Sequence, residues 1–236
     1  MFPGDLNIEA LENIRQRIRQ AQARSLRASG DVTIVAVTKA FPVDAMNSAY
    51  HCGLRVLGEN RVQEGEDKIP EFSYRNECQI RLIGHLQSNK ARKALQLFHL
   101  IESIDSVKLL RRLDRIADEE GIHDYPVYLQ INAAYDDSKF GFHPDEPIQV
   151  MDELIAIKNL EIRGLMTIAP HVRDENQIRK CFHATREAKM KMREYVDTCT
   201  DLSMGMSGDF EIAVEEGATH IRIGRALFGE RPVPVT

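Results

Sequence analysis

Eight short β-rich runs alternate with amphipathic helical stretches along this chain, and that alternation restricts the fold more than any other feature. The runs are Val32–Lys39, Arg55–Asn60, Cys78–His85, His99–Asp105, Tyr125–Asn132, Glu161–Ile168, Asp201–Ser207 and Thr219–Gly224. Helical patterns lie between them, at Pro42–Cys52, Ser88–Phe98, Ser106–Glu120, Glu175–Asp197 and Asp209–Glu216. A further helix opens the chain, with Leu11, Ile14 and Ile18 at three- and four-residue steps. Pro42 suits a first helical turn, Ser106 an N-cap, and Gly53, Gly121 and Gly217 the left-handed stop after a helix.

Two observations separate a closed barrel from an open doubly wound sheet. The first run, VTIVAVTK, is almost continuously apolar, as a parallel strand covered on both faces must be. An open dinucleotide-binding sheet carries a glycine-rich turn after its first strand, whereas here the chain reads Thr38-Lys39-Ala40-Phe41-Pro42. The expectation is therefore a single (β/α)8 TIM-type barrel with an extra N-terminal helix, one domain over residues 1–236. The irregular stretch Ala133–Pro147 reads as a loop at the barrel mouth.

Composition narrows the function classes. A formal net charge of −5 argues against a general nucleic-acid binder, which needs a concentrated positive surface. It leaves room for one phosphorylated small molecule. Cys52, Cys78, Cys181 and Cys199 form no CxxC pair and read as free thiols. Charges at Asp5, Glu9, Glu12, Arg15 and Arg17 break any signal-peptide core, and no apolar run reaches membrane-spanning length, so a cytoplasmic protein is expected.

Barrel enzymes place their chemistry at the C-terminal ends of the strands, and here those ends are polar. The first run ends in Lys39, the second in Glu59-Asn60, the third in His85, the fifth in Asn132 and the seventh in Ser207-Gly208. A lysine at the barrel rim, with its amine desolvated, can attack an aldehyde to form a Schiff base. Position alone equally allows a side chain that snorkels to solvent. Ser207 and Gly208 open a helix where barrels often bind phosphate, although Ser-Gly-Asp is also ordinary turn chemistry. In the eighth run His220, Arg222 and Gly224 share one face, and Ile221 and Ile223 the other, which turns Arg222 into the barrel. A buried guanidinium there needs an anion or an internal carboxylate such as Glu59. Asn60 and His85 either touch a ligand or satisfy internal groups. Lys90, Arg92 and Lys93 read as a solvated helix face.

Seven segments, taken together, resemble one family. They are VAVTK (35–39), GENRVQE (58–64), LIGHLQSNKARK (82–93), SKFGF (138–142), GLMTIAP (164–170), LSMGMS (202–207) and IRIGRALFG (221–229), in order and across nearly the whole chain. The chain resembles the pyridoxal phosphate homeostasis proteins, whose fold is like the barrel domain of bacterial alanine racemase. The resemblance implies pyridoxal 5'-phosphate (PLP) as cofactor, Lys39 as its Schiff-base lysine, and Ser207, Gly208 and backbone near Gly224 as the phosphate grip. It also places Arg222 against the pyridine nitrogen and Asn60 close to the ring. His85 is a mouth residue able to act as a second base. Many members have threonine where this chain has Arg225, and a second acidic residue where it has Gly208, so any side-chain contact from Arg225 to phosphate is in doubt and a backbone contact is expected.

The family is regarded as non-enzymatic, carrying or buffering the cofactor in vitamin B6 and amino-acid balance, with PLP-dependent apo-enzymes or a regulatory protein as partners. The racemases it resembles use an additional β domain with a tyrosine base, and nothing after the eighth run is expected to replace it. A small racemase or decarboxylase is the alternative, and a cofactor-free Schiff-base aldolase or sugar-phosphate isomerase a third.

Overall fold

The computed structural model describes residues 4–25, 30–134, 136 and 140–230. Ser138 and Lys139 of the SKFGF segment lie outside the described residues. Among the described residues eight parallel strands close in sequence order into a barrel. They are β1 (Thr33–Val37), β2 (Val56–Glu59), β3 (Gln79–Leu82), β4 (Leu100–Ile104), β5 (Tyr125–Ile131), β6 (Leu160–Thr167), β7 (Asp201–Ser203) and β8 (His220–Ile223). The helices are α1 (Ile8–Arg24), α2 (Val43–His51), α3 (Val62–Lys68), α4 (Ala91–Leu97), α5 (Val107–Glu120), α6 (Glu146–Gln149), α7 (Met151–Ile155), α8 (Glu175–Arg193), α9 (Phe210–Glu215) and α10 (Arg225–Phe228). No helix among the described residues is long and apolar enough to cross a membrane.

Strand register shows which side chains face inward. Val35 pairs with both Val56 and Arg222, Gly58 with Arg81, and Arg81 with Leu100. Tyr128 pairs with Gly164, Gly164 with Asp201, and Ser203 with His220. These residues form the interior set, since side chains of paired residues share a face. Their neighbours Ile34, Ala36, Leu57, Ile80, Leu82, Ile221 and Ile223 belong to the large apolar layer between sheet and helices. The predicted parity of the eighth strand, arginine inward and isoleucines outward, is the parity found.

Local sequence explains the helix ends. Leu109 N donates to Ser106 Oγ, capping α5, and Gly121 closes the same helix at φ 67°. Gly53 and Gly217 also have positive φ. On α5, Leu109, Leu110, Leu113, Ile116 and Ala117 are buried, and each large aliphatic contributes roughly 1.5–3 kcal/mol by leaving water. The expected stripe Leu11, Ile14, Ile18 is the buried face of α1. That helix packs beside α9, with Arg17 bonded to Glu211 at 2.7 Å and stacked over Phe210.

Some boundaries differ from the sequence reading. Strand β7 ends at Ser203 rather than Ser207, because Gly205 at φ 93° turns the chain into a loop. Strand β1 ends at Val37, and Lys39 falls in a turn. Helix α3 was not among the helices expected. The Lys90–Lys93 face is solvated as predicted, and is ion-paired to Glu66, Glu119 and Glu120.

Candidate functional site

The barrel mouth gathers the predicted residues at the C-terminal strand ends. Lys39 follows β1 by two residues, just beyond Val37, the last residue of the strand. It lies half-buried at the second position of a four-residue turn, closed by Phe41 N–H donating to Thr38 O at 3.2 Å. Asn60 follows β2 directly. Its close partner is Gly84: a Cβ there would fall 2.1 Å from Asn60 O and 2.6 Å from its Oδ1. Glycine is thus required for the two strand ends to approach. His85 is exposed at the rim. Its Nδ1 lies 3.1 Å from Asp105 Oδ2, and its ring stacks on Phe140 at 3.8 Å and 14°.

Two strands round the barrel from β1, Ser207 and Gly208 lie in the loop between β7 and α9. Ala226 N donates to Ser207 Oγ at 3.4 Å, which joins this loop to the start of α10. Gly224 opens α10 and sits against β1, where an added Cβ would be 3.3 Å from Val37 O. At Gly208 an added Cβ would meet nothing within 4 Å, so the backbone here borders open space. Asp209 ties the same loop by accepting from Met206 N. Burial pushes its carboxyl pKa up, against the lowering effects of the Met206 hydrogen bond and the Arg222 charge. The Arg225 side chain is exposed, with Nε 3.8 Å from Glu230. It points to solvent, so only the backbone of Arg225 belongs with the Ser207 loop.

Arg222 is buried inside the barrel. Its Nη1 donates to Ser203 O and Oγ at 2.7 and 2.8 Å, and its Nη2 to Thr167 O at 2.7 Å. Those three bonds fix the guanidinium plane and leave two of its five N–H groups, one on Nε and one on Nη2, without a hydrogen bond to a described residue. Its neighbouring carboxylate is Glu102, 4.0 Å away, not Glu59. Glu59 falls in the outward phase of β2 and binds Lys68 at 2.7 Å. Of the internal carboxylates, the one beside Arg222 is thus Glu102 of β4 rather than the Glu59 offered as an example.

Beneath Arg222 runs a polar chain that sequence reading missed. Glu102 accepts from Ser203 Oγ at 2.6 Å and from Arg81 Nη1 at 3.0 Å. Arg81 Nη2 lies 3.1 Å from His220 Nε2. Arginine only donates, so His220 Nε2 accepts, and its Nδ1–H donates to Thr219 Oγ1 at 2.8 Å. Burial, followed by the Arg81 charge, pushes the His220 pKa down to about 4. Arg222 is thereby supported from below, in one orientation, by side chains from β3, β4, β7 and β8.

The residues fit a phosphorylated aromatic aldehyde. They supply one primary amine at the rim, one rigid donor inside, and a neighbouring loop pair with open backbone at Gly208. Comparison with known proteins agrees. The family described as alanine racemase, N-terminal domain, matches residues 10–232. The pyridoxal phosphate homeostasis protein of Aquifex aeolicus is 35% identical over 224 residues, covering 94% of this chain and 97% of that protein. Its Vibrio cholerae namesake is 36% identical over 226 residues, covering 94% of each. PipY of Synechococcus elongatus, solved with PLP bound, superposes with a TM-score of 0.81 at 36% identity, covering 94% of this chain and 99% of that one. An alanine racemase of Clostridium difficile shares the fold at 17% identity and a TM-score of 0.73, with this chain covering 59% of its length. On sequence and architecture alike, this chain belongs to the pyridoxal phosphate homeostasis protein family.

Proposed function

We propose that this chain is a single-domain, non-catalytic PLP carrier that holds the cofactor through Lys39 and serves intracellular vitamin B6 and amino-acid balance. One observation carries the reading: Lys39 stands two residues beyond β1, and β1 pairs directly with β8, whose Arg222 is buried in the barrel and whose following helix α10 is joined to Ser207. The naming of the relatives and the PLP-bound PipY structure support it. Bound PLP supplies an aldehyde for a primary amine and a ring able to take up electrons. Lys39 provides the amine. The Ser207 hydroxyl, Gly208 and the backbone of Gly224 and Arg225 receive the phosphate. Arg222 would meet the pyridine nitrogen, and Asn60 and His85 would flank the ring. The protein works in the cytoplasm, and PLP-dependent apo-enzymes are the partners that suit such cargo.

Arg222 also weighs against strong catalysis. Arginine cannot give up its proton to the ring nitrogen, so the ring stays a weaker electron sink than with a carboxylate partner. The test is chemical. Protein incubated with PLP is expected to show a visible band that borohydride abolishes, with the reduced adduct mapped to Lys39. An adduct on another lysine would overturn the assignment.

A second reading, a small racemase or decarboxylase, has one observation in its favour. Asp105 orients His85 through Nδ1, which leaves Nε2 as a base at the mouth. That reading predicts amino-acid turnover that disappears in His85→Ala while the Lys39 adduct persists. No turnover across a broad amino-acid panel rejects it.

A further inference from the structure

The clearest unexplained feature near the site is on the outer side of the barrel wall, behind Lys39. Helix α3 buries a lysine. Lys68 Nζ donates to Thr38 O at 2.9 Å and to Phe41 O at 3.0 Å, the carbonyls of the two end residues of the turn that contains Lys39. The same ammonium meets Glu59 Oε1 at 2.7 Å and Glu64 Oε1 at 3.1 Å. Glu59 is fully buried and also accepts from Thr38 Oγ1 at 2.6 Å. Glu64 Oε1 accepts from Ala40 N–H, the amide directly after Lys39. Ala40 has φ 64°, a left-handed conformation that an L-residue with a Cβ adopts only under constraint. Three backbone groups flanking Lys39 in this turn, Thr38 O, Ala40 N–H and Phe41 O, are therefore gripped from behind by two side chains one helical turn apart.

We propose that Lys68 and Glu64 are positioning residues that hold Lys39 toward the barrel mouth by clamping the Thr38–Phe41 turn. Glu59 lies in the outward phase of β2, and Thr38 Oγ1 donates to it there. The clamp thus works through the sheet rather than from within the pocket. Burial of an ammonium against four acceptors is stable only while all are in place, so the turn and the helix are fixed together. Ala40 is held in a strained conformation because Glu64 satisfies its N–H there. This inference rests on Lys39 being the PLP attachment point.

The experiment follows Schiff-base formation on Lys39 by stopped-flow absorbance across pH, with borohydride trapping and peptide mapping as the check on site. Binding of pyridoxine 5'-phosphate, which lacks the aldehyde, reports the pocket separately. Glu64→Ala is expected to slow adduct formation by about tenfold or more, because a misdirected amine loses its oriented approach. Its affinity for pyridoxine 5'-phosphate is expected to stay at the wild-type value. Glu64→Gln keeps an acceptor for the Ala40 amide and is expected to react within about threefold of wild type. Adding Ala40→Gly to Glu64→Ala is expected to recover most of the rate, because glycine enters the left-handed region without a Cβ penalty. A purely structural role for α3 predicts no such rescue.

Should Glu64→Ala unfold, Lys68→Arg gives the same test. It keeps the charge but cannot bring one nitrogen to four acceptors, and it is expected to slow the reaction likewise. Wild-type rates in Glu64→Ala, or in Lys68→Arg where that is the variant measured, would overturn the clamp, as would absence of rescue by Ala40→Gly. An adduct that maps away from Lys39 in the wild-type protein would instead overturn the functional reading, so the two failures are distinguishable.

Discussion

Glu102→Ala is expected to cost about 3–5 kcal/mol of stability, because it removes one partner of a buried ion pair and leaves the other charge uncompensated. Glu102 is fully buried within β4, and both its carboxylate oxygens are used: Oε1 by Arg81 and Oε2 by Ser203. Arg81 and Arg222 are each 4% exposed, so neither guanidinium can recover its hydration when the carboxylate leaves. The effect is expected as a lower urea midpoint with an unchanged slope. Adding Arg81→Met should return part of the loss, since two apolar side chains then replace a stranded charge. The variant should also loosen Arg222, whose Ser203 acceptor is held by Glu102, and so weaken PLP binding without changing which lysine is trapped. A cost below about 1 kcal/mol, within the range of an exposed pair, would show that the interior is wet enough to solvate both arginines.

The barrel itself was legible because each strand announces its own phase. Alternation in His220-Ile221-Arg222-Ile223 is local, and it placed Arg222 inside without knowledge of any other strand. Which carboxylate faces Arg222 is a different kind of question. It depends on the relative register and height of strands, and Glu59 stands in the outward phase of β2 while Glu102 stands in the inward phase of β4. Nothing in LIESI marks its glutamate as interior except the continuous burial of the run, a property of the assembled barrel. Helix α3 was missed for a related reason. VQEGEDK is short and charged, and its lysine reads as a solvent residue until the turn 27 to 30 residues earlier folds over it. Arg225 shows the reverse case: the sequence put a side-chain contact to phosphate in doubt, and the helix start directs that side chain to Glu230 and solvent.

Acidification should weaken the fold through His220, in a defined window. Its pKa falls from 6.5 to about 4 on folding, by burial first and the Arg81 charge second. Above pH 6.5 the imidazole is neutral in both states and contributes no pH dependence. Between 6.5 and 4 the unfolded chain takes up a proton that the native barrel refuses, so stability drops as pH falls. Below about 4 both states are protonated and the loss is complete. A depression of this size corresponds to about 3 kcal/mol in total, at 1.36 kcal/mol for each pKa unit. His220→Gln isolates the effect, since the amide keeps an acceptor for Arg81 and a donor for Thr219 but does not titrate. Carboxyls with raised pKa values, such as Glu59 and Asp209, act in the opposite direction, and they cancel when the two proteins are compared at each pH. Urea unfolding at pH 7 and pH 4.5 is expected to show a smaller acid loss in His220→Gln than in wild type. Equal losses would mean that the imidazole takes its proton inside the barrel, with Arg81 turned away from Nε2 and the support beneath Arg222 rearranged.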